Sequence, residues 1–426
     1  MTATTLRREV GLLGLLAIAI NGVIGSGIFV LPATVAGLLG PLSPLAYLVA
    51  AALTALVVLC FAEAGSRYEA TGGPYLYARE AFGEFVGFEI GVMFFLSRLA
   101  AAAAIGNACI QSLGYFLPAV TAGAPRALVL TMTVAALAAL NYRGVREGAW
   151  VVNVLTVAKL VPIAVFIAWG LGAVDPASYS FSQMPESLAL RRASLLLIFA
   201  FGGFENASVP AEEAKNPRRD LPFALIGAIV VTTFVYVSIQ VVALGTLPTL
   251  AQSATPLASA AARFLGPAGG ALVTAGAVVS TIGSLSALAL VGPRILYSFG
   301  QAGRLSPALT EIHPRFATPH IAILAFAIVA WLSALSGGFA QLAAVSALAR
   351  LVFSASTCVA VLVLRRRESS PARFRVPGGP LVPLAAVGLS LWLLSGVTRE
   401  QLIAGAVALV LGAVLFPLGR SRRPAS

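Results

Sequence analysis

Charge is what this chain most lacks: Asp, Glu, Lys and Arg together make up 10% of its 426 residues, whereas 59% are hydrophobic. An ordinary water-soluble domain does not cover its surface with so little charge. Histidine occurs only twice, at His313 and His320, both in or beside one connecting loop. The three cysteines, Cys60, Cys109 and Cys358, fall inside apolar runs at no metal-ligand spacing. No metal site and no other cofactor is therefore expected, and the cysteines do not report a redox compartment. A glycine-rich phosphate loop ending in Gly-Lys is also missing, which argues against ATP-driven pumping by this chain alone. The apolar runs hold no catalytic His/Asp pair, so an enzyme is not expected.

What the chain has instead is repeated apolar runs of about twenty residues, the length that crosses a bilayer core. We predict an all-α polytopic membrane protein with twelve transmembrane helices. They lie at about 10–35, 45–64, 85–117, 127–141, 150–171, 193–210, 223–247, 268–299, 321–335, 342–364, 382–394 and 402–418. The formal charge of +12 would suit nucleic acid, but the arginines sit in short loops between runs, mostly on one side of the predicted topology. Such a pattern orients spans and makes the bilayer, not nucleic acid, the expected partner. It places both termini in the cytoplasm and the chain in the cytoplasmic (inner) membrane. Arg7 and Arg8 before the first run resemble a signal peptide, but that run is too long and leads into further spans, so it is read as an uncleaved first helix.

Two of the runs are interrupted. In the first, Asn21-Gly22-Val23-Ile24-Gly25-Ser26-Gly27-Ile28-Phe29 puts three glycines within six positions. Each costs a helix ~1 kcal/mol against alanine and lets the backbone leave helical geometry. By itself the stretch also fits a close-packing face, with Gly22 and Ser26 as a small-xxx-small pair. The sixth run carries a second interruption, Phe201-Gly202-Gly203-Phe204-Glu205-Asn206, about 180 residues later. Unusually long third and eighth runs are offset by a similar amount. Five helices per unit is an odd number, so a second copy enters from the opposite side. The chain therefore reads as a 5+5 inverted repeat with broken helices 1 and 6. Residues 1–172 form the first repeat and 173–367 the second, while 368–426 add two C-terminal helices and a tail. In such repeats the substrate site lies where the two breaks face each other at mid-membrane. Amides near Ser26 and Gly27 suit a carboxylate, and carbonyls freed around Phe199, Ala200 and Gly202 suit an ammonium. The pair matches the α-groups of a zwitterionic amino acid.

These stretches, with Glu212-Glu-Ala-Lys-Asn-Pro217, Gly72-Gly-Pro-Tyr75 and the Pro307 to Pro319 loop, resemble the amino acid–polyamine–organocation superfamily and its LeuT-like fold. The resemblance covers spans one to ten; the last two fit the family's usual appendage. It implies that Val23, Ser26 and Gly27, with Gly25 between them, meet the carboxylate, and that Phe199, Ala200 and Gly202 meet the amine. Phe199 becomes the aromatic gate over the ligand. Ala102, Ala103 and Asn107 of span three resemble the lining of the arginine/agmatine exchanger in this superfamily. Where that exchanger has a cation-stacking tryptophan, this chain has Leu288. A leucine offers no cation–π face, which argues against a guanidinium ligand.

Four charges fall well inside predicted spans: Arg98, Lys159, Glu205 and Arg350. Such residues are costly and are paired or functional by default. Glu205 abuts the second break, where it either satisfies freed backbone donors or takes part in proton coupling. Arg98 and Arg350 are expected to pair, with no partner evident. Lys159 lies about nine residues, roughly 13 Å of helix, from either end of span five, a depth that favours a functional role over a lysine that merely snorkels. In some proton-coupled relatives a span-five lysine replaces the sodium ion that bridges span one to span eight. The resemblance thus implies that Lys159 ties the carbonyls near Gly22 to the Ser280 to Ser284 region, and burial disfavours its charged form, which permits proton release. The expected function is secondary transport of neutral amino acids by alternating access, proton-coupled or by exchange. Cationic amino acid or polyamine exchange is the alternative, and a transporter-like receptor is a different class that would call for an appended soluble domain.

Overall fold

A computed structural model of the chain describes residues 11–68, 73–143, 148–179, 186–205, 216–367 and 371–420. Among these residues the regular structure is helical throughout, without a strand. In chain order the α-helices are α1 (Leu12–Val23), α2 (Gly27–Leu39), α3 (Ser43–Gly65), α4 (Gly73–Phe82), α5 (Glu84–Leu113), α6 (Gly123–Arg143) and α7 (Gly148–Gly170). They continue as α8 (Ser187–Ala200), α9 (Pro217–Thr246), α10 (Pro256–Gln301), α11 (His320–Ser336), α12 (Phe339–Arg367), α13 (Leu381–Leu394) and α14 (Arg399–Arg420). Seven helical stretches among the described residues are long and apolar enough to cross a membrane, and four shorter apolar helices accompany them. This is the architecture of a polytopic membrane protein.

Helix boundaries follow the local chemistry. Proline sits in the first turn of α3, α9 and α10, where its missing N–H costs nothing. Glu84 begins α5, and Arg365, Arg366 and Arg367 end α12, each complementing the helix dipole. Two elements depart from the sequence expectation. The polar segment after span two contains α4, which buries Leu76, Tyr77, Ala78 and Ala81 and packs against α5 and α12. Its apolar stripe is only two turns long, too short to stand out among flanking charges. The segment around Leu257, between the predicted seventh and eighth spans, is the start of α10. Only Gly266, with φ of +71°, breaks that helix before Pro267.

α5 is the central post. It packs against α12, α10, α4, α11 and α14, and its run Ala100 to Ala104 is buried throughout. Small side chains let neighbouring helices approach closely, which is how membrane bundles gain packing without a hydrophobic drive between helices. Around that post α1 and α3 lie against α9, α7 against α10, and α2 against α8. The last contact brings the two interrupted regions together.

Candidate functional site

The first interruption is short. α1 runs to Val23, with the Ile24 amide still bonded to the Ile20 carbonyl, and α2 starts at Gly27, so only Ile24, Gly25 and Ser26 leave helical pairing. Several of the carbonyls released there are claimed by side chains of other helices. Lys159 Nζ of α7 donates to Asn21 O at 2.8 Å and to Ile24 O at 2.5 Å. Ser280 Oγ of α10 reaches Gly25 O at 3.4 Å. Ser284, one turn further along α10, lies where a side chain on Gly25 would meet its hydroxyl. Lys159 is buried, and no carboxylate pairs with it among the described residues. The ammonium therefore answers backbone dipoles instead of a counter-charge. Ser26, the residue just before α2, is 1% exposed, and its hydroxyl has no hydrogen-bond partner among the described residues.

At the second interruption α8 ends at Ala200. The Phe201 and Gly202 amides turn back onto the Leu197 and Phe199 carbonyls, and Gly203 adopts a φ of +113°. The remainder of the predicted sixth span, from Asn206 to Pro210, lies outside the described residues, as does the Glu212 to Lys215 part of the following loop. The two interruptions touch. A Cβ on Gly203 would lie 2.1 Å from Gly22 O, and one on Gly27 would lie 2.9 Å from Ala200 Cβ. Tyr236 of α9 sits between them, its hydroxyl 2.8 Å from Val23 O and 3.0 Å from Ala200 O. One hydroxyl hydrogen thus serves a carbonyl from each break in turn.

Both arginines expected to pair do so with the same acid. Glu205 Oε1 accepts from Arg98 of α5 and from Arg350 of α12, and Glu205 Oε2 accepts from the Gly203 amide at 2.9 Å. Glu205 therefore caps a freed backbone donor while it bridges α5 and α12. All three side chains are buried. Two guanidinium cations sharing one carboxylate leave the cluster with a surplus of positive charge. Arg350 also lies directly on the second break, where any side chain at Gly202 would overlap its guanidinium.

The other sequence-expected positions divide. Phe199 is buried, packs edge-on against Phe339 at 5.6 Å between ring centroids, and lies close to Gly27. Leu288 is buried in the main core. Asn107 sits elsewhere: its amide donates to Ala103 O and Ala334 O, and its Oδ1 accepts from Arg126 at 2.7 Å. Nine residues at 100° each put it on the face of α5 opposite Arg98. Ala103 packs there too, with Leu130 and Ala334, and Ala102 borders a cavity shared with α6, α10 and α11. Sequence reasoning overlooked Tyr236. Its only signal was a polar pair, Tyr236 and Gln240, at helical spacing in an apolar run, with Gln240 bonded to Ser43 Oγ at 2.7 Å. Among the described residues no three His, Cys, Asp or Glu side chains gather as a metal site would need.

A family model described as amino acid permease matches residues 10–416. The chain belongs to the amino acid permease family. It is a member of the amino acid–polyamine–organocation superfamily, a multi-pass membrane transporter and not an enzyme. The serine/threonine exchanger SteT of Bacillus subtilis is 30% identical over 99% of this chain and 98% of its own length. The branched-chain amino acid permease BcaP of the same organism is 29% identical over 97% and 93%. A third B. subtilis relative, the methylthioribose transporter, is 28% identical over 97% and 93%. Three different cargoes at nearly the same identity mean that family membership fixes the transporter and leaves the cargo to the site.

Proposed function

We propose that this permease is a secondary transporter of neutral amino acids that works by alternating access. In this reading twelve spans form a 5+5 inverted repeat with two added helices, and both termini are cytoplasmic. The observation that carries it is the direct contact between two interrupted helices, Gly203 on Gly22 and Gly27 on Ala200. Helix ends brought face to face in a membrane interior are useful where a zwitterion must be held by dipoles. The α2 amides and the Ser26 hydroxyl take the carboxylate, and the carbonyl end of α8 takes the ammonium.

Lys159 stands in for a metal cation at the first break, because its ammonium already holds the carbonyls of Asn21 and Ile24. The coupling ion, if one is used, is then a proton. Neutral substrates are favoured over guanidinium ones because Leu288 supplies no aromatic face on which a cation could stack. The test is uptake into proteoliposomes from a panel of labelled amino acids and polyamines, with and without sodium, a pH gradient or internal substrate. Neutral amino acids should enter without sodium. Preferential uptake of lysine, arginine or polyamines would replace this reading with that of a cationic exchanger.

A further inference from the structure

A second, unrelated feature lies at the end of the bundle where α6 and α10 finish. A cavity of about 250 Å³ is bordered there by Asn141 of α6, Pro293 and Arg294 of α10, and Phe316, Thr318 and Pro319 of the segment before α11. Its polar groups are unequal. Asn141 Nδ2 is committed to Leu137 O and Thr318 Oγ1 to Tyr142 O, each at 2.8 Å. Among the described residues Arg294 has only a 3.5 Å contact to Leu290 O of its own helix, and no carboxylate there pairs with it. A guanidinium with five donors is therefore presented to the cavity almost unused.

This cavity does not end in polar surroundings. It shares Ala289 and Ile323 with a second, almost wholly apolar cavity that continues deeper between α5, α6, α10 and α11. That slot is bordered by Leu130, Val134 and Leu137 of α6 and by Phe326, Ala327 and Ala330 of α11. From Asn141 to Leu130 is eleven residues of helix, roughly 16 Å of depth, about half of a ~30 Å hydrocarbon core. Beside it Leu128, Met132 and Leu140 of α6 and Leu324 and Ile328 of α11 are exposed, as side chains facing lipid would be.

A basic head pocket joined to an apolar slot one leaflet deep has the shape of a single class of ligand. We infer that this face holds one anionic phospholipid, its phosphate on Arg294 and one acyl chain in the slot between α6 and α11. Basic pockets between membrane helices suit lipid phosphates in general. A free anion would use the head pocket and leave the slot unfilled, and a zwitterionic lipid would bring a quaternary ammonium toward the arginine. The head pocket, on Arg294, lies away from both helix breaks.

The test is native mass spectrometry of the full chain in detergent, titrated with phosphatidylglycerol or phosphatidylcholine of equal chain length. One phosphatidylglycerol per chain should be retained in preference to phosphatidylcholine. Arg294→Gln should weaken that retention about fivefold, the effect of one interfacial arginine, and Arg294→Lys should largely restore it. Ala327→Phe, which fills the slot and leaves the head pocket intact, should also weaken retention, whereas millimolar inorganic phosphate should not displace the lipid. Equal retention of both lipids, or no change in Arg294→Gln, would overturn the site. Displacement by phosphate with no effect of Ala327→Phe would overturn it too, in favour of a simple anion pocket.

Discussion

Gly203 rests its α-carbon against the carbonyl of Gly22, so the two interrupted helices meet backbone to backbone. No side chain separates them, and a Cβ on Gly203 would fall 2.1 Å from that oxygen. Gly203 also has a φ of +113°, in a region that L-residues rarely occupy.

Gly203→Ala should therefore combine strain with a clash. Gly266→Ala is the control: φ there is +71°, but nothing lies within 4 Å of the added carbon. We expect Gly266→Ala to lose only ~1–2 kcal/mol and keep uptake, and Gly203→Ala to lose uptake altogether. Thermal unfolding in detergent together with uptake at matched abundance checks both; equal behaviour of the two variants would deny the contact its importance.

Among the described residues Glu205 is the carboxylate that pairs with the two buried arginines, Arg98 and Arg350. Glu205→Gln should destabilise the protein by on the order of 3–5 kcal/mol, the usual result of leaving buried charge unpaired. Removing one arginine as well, in the double variant Glu205→Gln/Arg350→Gln, should recover part of that loss. Melting temperatures of parent, single and double variants decide the matter, and a Glu205→Gln protein as stable as its parent would rule out the shared pairing.

The Tyr236 hydroxyl lies within bonding distance of a carbonyl from each break. Tyr236→Phe keeps the ring and its packing against Phe201. It should cost about 1 kcal/mol of stability and slow uptake several-fold while substrate still binds. Parallel binding and uptake assays distinguish this from simple unfolding, which would lower both together.

Lys159 holds Asn21 and Ile24 by their carbonyls, with no acidic partner among the described residues. Uptake should be independent of sodium, and Lys159→Ala should lose accumulation driven by a pH gradient while the protein still folds. An absolute sodium requirement, or unchanged accumulation by the variant, would remove Lys159 from coupling.

Topology is open to direct labelling. Cysteine at Gly338, in the turn between α11 and α12, should react with an impermeant reagent from outside intact cells. Cysteine at Ser426 should react only after the membrane is opened. Labelling of both from one side would refute twelve spans.

The break between α1 and α2 and the end of α8 at Ala200 were legible in the sequence because glycine declares its conformational freedom locally, within a few residues. The observed first break is nevertheless narrower than the glycine pattern, since helical bonding persists through Val23. Arg98 and Arg350 could be recognised as needing partners, but Glu205 lies 107 and 145 residues away from them. No local pattern carries a pairing of that range. Asn107 depends on the rotation of a helix, which no local pattern records. It matched a known lining motif, yet its place is set by the rotation of α5, and that turned it toward Arg126 and α11.

That turn has a consequence for discrimination between cargoes. With the amide of Asn107 fully engaged in the scaffold, the proposed pocket retains Phe199, Ala200, Val23 and Leu288 as its side-chain walls, none of which can form a side-chain hydrogen bond. Walls of this kind act as a sieve: they grade ligands by volume, at about 1–3 kcal/mol per methylene, and read little of their polarity. We expect a permease walled in this way to accept a range of small and medium side chains. Narrowing its diet would need a hydrogen-bonding residue introduced opposite Ser26, and widening it would need only a smaller residue at Leu288.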